Sequence, residues 1–277
     1  MTLSRRRFLE SAGAAAAAAR LYADPLGMPI GFQTYSVRDL LAKDFTGTLK
    51  QMAGMGFRAL EMCSPVGYEK SGFGGLAGMS GGELRKTIEG AGLVCESSHF
   101  QLRELQEKGA ERIPWARDLG LKQMVVASFG IREGSPLADW TKACAAMNRI
   151  GEQTKKAGIQ AAFHNHHGEF AKIDGALIYD HLLRELDPAL VKMQFQVAVI
   201  SIGYEAAPYF TKHPGRFSSL HLADWSATEK KTVPLGQGVV DWKALFAAAK
   251  KGGVRNYFVE MNLDLMRDSV PYLNKLK

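Results

Sequence analysis

The run Phe163-His164-Asn165-His166-His167 sets three imidazoles within four residues, with Glu169 two positions on. The chain has seven histidines, and five of them (His99, His164, His166, His167 and His221) stand at the ends of short apolar, β-rich segments. Glu61 and Glu260 close two more such segments, Glu96 lies in the segment of His99, and Gln194 and Gln196 lie in another. Side chains alternate along a strand, so His164 and His166 are expected on one side. Neutral imidazoles beside a carboxylate suit a borderline divalent cation such as Mn, Zn, Co or Fe. Such an ion acts as a Lewis acid on a carbonyl or a vicinal diol.

Each residue also has a plainer reading. His99 is either a site residue or a hydrogen-bonded core histidine. Asp224 either meets substrate or caps the segment after it. Trp225 either lines a mouth or staples helices. The His164–His167 cluster and the carboxyls of Glu61 and Glu260 resist the plain reading, because polar groups in a buried strand need partners.

The elements that must position these residues alternate regularly. Strand-like runs occur at Ile30–Tyr35, Ala59–Cys63, Val94–His99, Gln123–Ser128, Gln160–His164, Lys192–Val199, Phe217–Leu222 and Asn256–Met261. Amphipathic helical patterns lie at Phe45–Met55, Ser80–Ala91, Arg103–Leu119, Trp140–Ala157, Gly175–Glu185, Ala206–Lys212 and Trp242–Lys251. A glycine followed by an apolar residue closes five of these helices, at Gly56, Gly92, Gly120, Gly158 and Gly253. Eight βα units in one chain predict an α/β protein, a (β/α)8 TIM barrel of a single domain, with its active site at the carboxyl ends of the strands. The glycine-rich segment Gly72–Gly82 follows the second strand and lacks a phosphate-loop spacing, so it reads as a loop at the barrel mouth.

The barrel is expected over 29–277, and residues 1–28 read as a leader with a short linker. Arg5, Arg6 and Arg7 precede Phe8-Leu9 and an alanine-rich stretch, the order of an export signal. The run resembles a twin-arginine signal, which implies export by the twin-arginine machinery to the periplasm or beyond. The net charge of +7 is inflated by the first 23 residues, which hold four arginines against one glutamate. Elsewhere the charge is dispersed, arguing against a nucleic-acid partner. No apolar run is long enough to span a bilayer. The cysteines Cys63, Cys95 and Cys144 form no zinc or disulfide pattern.

Several motifs together resemble the xylose-isomerase-like TIM barrels, the sugar phosphate isomerase/epimerase superfamily. They are Ile30–Arg38, Gly56–Glu61, Phe163–Phe170, Pro214–Asp224, Gly236–Trp242 and Phe258-Val259-Glu260. The resemblance implies a divalent metal cation (Mn, Zn, Co, Fe or Mg) held by side chains from strands five to eight. Residue by residue it points to His221 and Glu260 as ligands, with His164 at the strand-five position. It places Gln196 where the family usually has aspartate, a neutral and weaker oxygen donor.

The expectation is therefore a divalent-metal-dependent enzyme of the sugar isomerase/epimerase type. It takes a proton from the carbon next to a carbonyl of a sugar or keto-sugar. The expected ligands are His164, Gln196, His221 and Glu260; the expected catalytic groups are Glu260, His166, Glu61 and Asp224; and His99, Asn165 and Trp225 are expected at the substrate. With one family carboxylate missing, a keto-glycoside lyase or dehydratase is an alternative on the same site. A secreted carbohydrate-binding relative without turnover is another. An endonuclease IV-like phosphodiesterase would need more carboxylates and a basic face for DNA. An export leader favours an unphosphorylated sugar, and no anion cradle is evident in the sequence.

Overall fold

The computed structural model describes Pro25 and residues 27–276. The expected leader therefore lies outside the described residues. Eight parallel strands close into a barrel: β1 Gly31–Gln33, β2 Ala59–Cys63, β3 Val94–Phe100, β4 Gln123–Val126, β5 Gln160–His164, β6 Val191–Gln196, β7 Phe217–Leu222 and β8 Asn256–Val259. Their order around the barrel is sequential, and β1 pairs with both β2 and β8. This is the (β/α)8 arrangement expected from the sequence.

Helices surround it: α1 Arg38–Lys43, α2 Phe45–Met55, α3 Gly81–Gly90, α4 Leu102–Leu119, α5 Leu137–Lys156, α6 Ile178–Glu185, α7 Ala206–Lys212, α8 Trp242–Gly252 and α9 Leu263–Lys275. Their ends are chemically marked. Asp44 accepts from the Gly47 amide ahead of α2, and Gly56 ends that helix at φ 110°, where a side chain would be strained. Ser80 and Glu83 form a reciprocal capping box on α3. Asp241 and Asn262 cap α8 and α9. The sequence reading did not include α1 and α9.

Period-two alternation sorts each strand into two faces. Leu60, Met62, Met124, Val126, Phe163, Met193, Phe195, Leu220, Leu222, Tyr257 and Val259 join one apolar cluster with the helices. The intervening positions point to the axis, where bonds across strands link Gln33, Glu61, Ser97, Gln123, Gln194, Ser219 and His221. The axis is thus polar where barrels of this kind usually pack branched apolar side chains.

Four expected strands end early: β4 stops at Val126 and β8 at Val259, and the other two continue as turns. β1 stops at Gln33 and continues as a 3-10 turn, Thr34–Val37. β6 stops at Gln196, and Val197–Ile202 forms a longer 3-10 segment closed by Gly203. The apolar run suggested strand, but its residues are buried by packing on a turn rather than by pairing. Glu96 does not end β3. It lies near the start, exposed, where the register with β2 skips from Cys95 to Ser97. Among the described residues no helix is long and apolar enough to cross a membrane.

Candidate active site

Glu61 is fully buried on β2 and is the hub of the axis. Gln33 Nε2 (2.6 Å), Ser97 Oγ (2.5 Å) and Gln194 Nε2 (2.8 Å) donate to its carboxylate. His221 Nε2 lies 2.5 Å from it and His99 Nε2 3.0 Å. Burial alone would raise the Glu61 pKa. The positive potential of His99 and His221 outweighs burial and holds the carboxyl well below the usual carboxylate range.

His221 stands between two carboxylates. Its Nδ1 is 2.9 Å from Glu260 Oε2, on the side away from Glu61. Burial disfavours its charged form, but Glu260 and Glu61 prevail and raise its pKa to about 9. Burial likewise opposes ionisation of Glu260, and His221 reverses this, bringing it down to about 2. Glu260 keeps 20% of its side-chain surface accessible, unlike the sealed Glu61. Of the two, Glu260 is the carboxylate a solute can reach.

His164 ends β5 and is completely buried, yet neither ring nitrogen has a hydrogen-bond partner. Burial first, then the neighbouring rings of His221, His166 and His99, push its pKa well below the ordinary imidazole value. The ring is therefore neutral and its lone pair is free. One nitrogen from each of His99, His164 and His221 lies within 4.8 Å of the other two. A buried imidazole without a partner is costly in a plain core. It is the expected state of a ligand whose ion supplies the partner, so the residues present fit a divalent cation. In that arrangement Glu61 is the outer carboxylate that fixes the ring of a metal-binding histidine.

The expected site residues fall into two groups. His99, His164, His221, Glu61, Glu260 and Gln196 converge. Gln196 donates its amide to Glu260 Oε2, and its Oε1 accepts from Ala198 N at 3.2 Å. The glutamine therefore holds Glu260, with both ends of its amide engaged. Asn165 is buried behind the cluster, its Oδ1 accepting from Gln196 N at 3.2 Å, with Nδ2 unpartnered. β5 ends before His166, so this residue sits exposed on the following loop. Its ring still meets His164 edge-on at 4.7 Å between centroids. Glu169 accepts from the His166 amide at 2.7 Å and shapes that loop.

Asp224 is the outlier. Five donors occupy its buried carboxylate: the amides of Trp225, Gly236, Gly238 and Val240, and Trp242 Nε1. It anchors the hairpin Asp224–Ser226/Lys231–Val233 and the turn beyond it. Trp225 is half-buried on that hairpin. The sequence reading did not assign roles to Gln33, Ser97, Gln123, Gln194 and Ser219, which serve Glu61 directly or through one another. Their signal was available as polar residues at inward positions of otherwise apolar strands.

Asp224→Ala is expected to cost at least about 2 kcal/mol, because it orphans several buried donors. Urea unfolding measures the loss, and limited proteolysis should newly cut the 226–240 segment. Metal content per folded molecule should not change. A stable variant with impaired metal or sugar binding would instead place Asp224 in the site.

Residues 49–275 match the family described as xylose isomerase-like TIM barrel. The inosose dehydratase of Geobacillus thermodenitrificans is 26% identical over 215 residues, 64% of this chain and 71% of that protein. A sugar phosphate isomerase/epimerase from Parabacteroides distasonis superposes with a TM-score of 0.74 at 26% identity, covering 88% of this chain and 93% of its own. The IOLI protein, solved with a bound zinc atom, shares the fold at 12% identity and a TM-score of 0.63, covering 90% of this chain and 95% of its own. The chain belongs to the xylose isomerase-like TIM barrel family.

Proposed function

We propose that this protein is a divalent-metal-dependent enzyme of the sugar isomerase/epimerase type, acting next to a carbonyl of a sugar or keto-sugar. The observation that carries the reading is His164, buried with both ring nitrogens unpartnered, beside His99 and His221, the latter in turn hydrogen-bonded to Glu260. His164, His221 and Glu260 would hold the ion, with His99 completing the set. Bound there, a cation polarises a carbonyl and acidifies the adjacent C–H.

The chain's own groups divide the remaining work. Glu260 is ionised and reachable, so it takes the proton from carbon. His166, exposed at the mouth and facing His164, gives or receives a proton on the other side. Glu61 fixes the ring of His221 through Nε2, and Gln196 fixes the carboxylate of Glu260. Neither needs to touch substrate.

A dehydratase or lyase outcome on the same site is the second reading. Two departures favour it: the resemblance puts His164 at the strand-five position, so Glu260 is paired with a histidine rather than a second carboxylate, and a neutral amide, Gln196, stands where an aspartate is expected. The similarity to an inosose dehydratase agrees with elimination beside a carbonyl.

Purified protein is expected to carry about one divalent ion per chain and to wash deuterium from solvent into the α-carbon of at least one ketose, inosose or 3-keto-glycoside. Glu260→Gln should lower that exchange about 100-fold or more. His164→Ala should lose the ion while keeping its circular dichroism. Release of water with exchange selects the dehydratase; exchange alone selects the isomerase. Metal-free protein with no exchange on any of these substrates would defeat the proposal. Sugar binding that survives chelation and ignores Glu260→Gln would identify a binding protein without turnover.

We further propose that residues 1–28 direct export by the twin-arginine route, on the strength of Arg5-Arg6 before Phe8-Leu9 and the alanine-rich run. Replacing both arginines with lysine should retain the protein in the cytoplasm of a host with that machinery, as read by cell fractionation. Unchanged distribution would refute it.

A further inference from the structure

His99 on β3 and His221 on β7 turn toward the same atom. The Nε2 of His221 lies 2.5 Å from Glu61 Oε2, and that of His99 lies 3.0 Å from it. The two rings are stacked, 15° apart in plane with centroids 5.1 Å apart. His99 Nε2 has a second partner, Gln194 Oε1 at 2.8 Å. The Gln194 amide cannot sit the other way round. Its Nε2 points at Glu61 Oε1 at 2.8 Å, and an ionised carboxylate only accepts. Both atoms bonded to His99 Nε2 are therefore acceptors.

Neither acceptor has a hydrogen to give, so His99 and His221 each carry one on Nε2. The nitrogen left to bind an ion is Nδ1. For His221 the choice is also set by its surroundings. Its Nδ1 faces Glu260, which a solute can reach, at 2.9 Å. Its Nε2 faces Glu61, which is sealed and whose two oxygens already take Gln33, Ser97, Gln194, His99 and His221. Glu61 has no lone pair to spare for an ion. Among the described residues nothing bonds to Nδ1 of His99, and that side chain keeps 6% of its surface accessible. His164 has no such fixture, since neither of its nitrogens has a partner.

We propose that Glu61 is a positioning residue shared by two ligands. It holds the hydrogens of His99 and His221 on Nε2, so that both rings meet the ion through Nδ1. With His164 and Glu260 the donors are then three imidazole nitrogens and one carboxylate. This inference rests on the metal-dependent reading above and names its donor atoms. Gln196 adds no oxygen, because its amide is engaged at both ends. A nitrogen-rich set suits zinc, cobalt, nickel or ferrous iron, whereas magnesium and manganese favour oxygen donors. One outer carboxylate thus decides the binding atoms of two ligands and, with them, the class of ion.

The test is long-range nitrogen–hydrogen correlation spectroscopy of the full-length protein with isotope-labelled histidine, its signals assigned with His99→Asn and His221→Asn. In chelator-treated protein both rings are expected to carry hydrogen on Nε2. Stoichiometric zinc should shift Nδ1 of both rings and one nitrogen of His164, with the two Nε2 hydrogens retained. About 10 mM magnesium should leave all three rings unchanged. Glu61→Gln, whose amide can also donate, should free the tautomers and weaken zinc binding about 10–100-fold. Should that variant not fold, the parent spectra decide. Hydrogen on Nδ1 alone in either ring, zinc bound at Nε2, a response to magnesium, or zinc held by His164 and His221 with His99 unshifted would each overturn this inference and leave the metal reading in place. No response to zinc at any histidine would defeat the metal reading itself, and this inference with it.

Discussion

A sealed carboxylate sets the terms for the whole barrel axis. Ionised Glu61 has no access to water, and an unpaired buried charge costs several kcal/mol. Donors from four other strands meet that cost: Gln33 on β1, Ser97 and His99 on β3, Gln194 on β6 and His221 on β7. Each of these strands must hold its register to within one residue, because a slip of one turns the donor outward. The same bonds that neutralise Glu61 therefore close and align the barrel. They also orient His221, leaving its Nδ1 directed at Glu260 and the reachable end of the site.

A gradient along the axis follows. At the carboxyl ends lie the histidines and Glu260, where charge can change and solutes can enter. In the middle, Gln123, Gln194, Ser97 and Ser219 form a neutral bonded layer with Glu61 at its top. At the amino ends, cations line an open recess. An apolar interior would have insulated the two ends. This one joins them through a short chain of bonds, from Gln123 in the wall of the recess through Ser97 to Glu61.

Much of this was legible in the sequence. β2 and β5 were bounded correctly because glycine and an apolar residue mark each helix-to-strand junction, and the period changes sharply there; β7 was bounded correctly without that mark. His164, His221 and Glu260 stood out in the sequence because a polar side chain that ends an apolar strand must meet water, a partner or a ligand. What escaped depends on distant pairing. The five donors to Asp224 are mostly backbone amides of a later turn, which carry no sequence signal. Gln196, read from the sequence as a ligand, is engaged as a donor to Glu260, a choice made by neighbouring strands. The skip at Glu96 is a local irregularity in pairing with β2. The recess was invisible because Lys122, Lys155, Lys192 and Arg255 each look like solvated residues beside a strand and meet only when the barrel closes.

In the proposed reading, His164 and His221 share one ion with Glu260 at the reachable end of this axis. Anomalous diffraction at the zinc edge, from crystals of the full-length protein equilibrated with zinc, tests it most directly. One strong peak is expected, bonded to a nitrogen of His164 and a nitrogen of His221, at about 2.0–2.1 Å as zinc–imidazole bonds require. A peak located elsewhere, or an unpartnered His164 with no density beside it at saturating zinc, would contradict it.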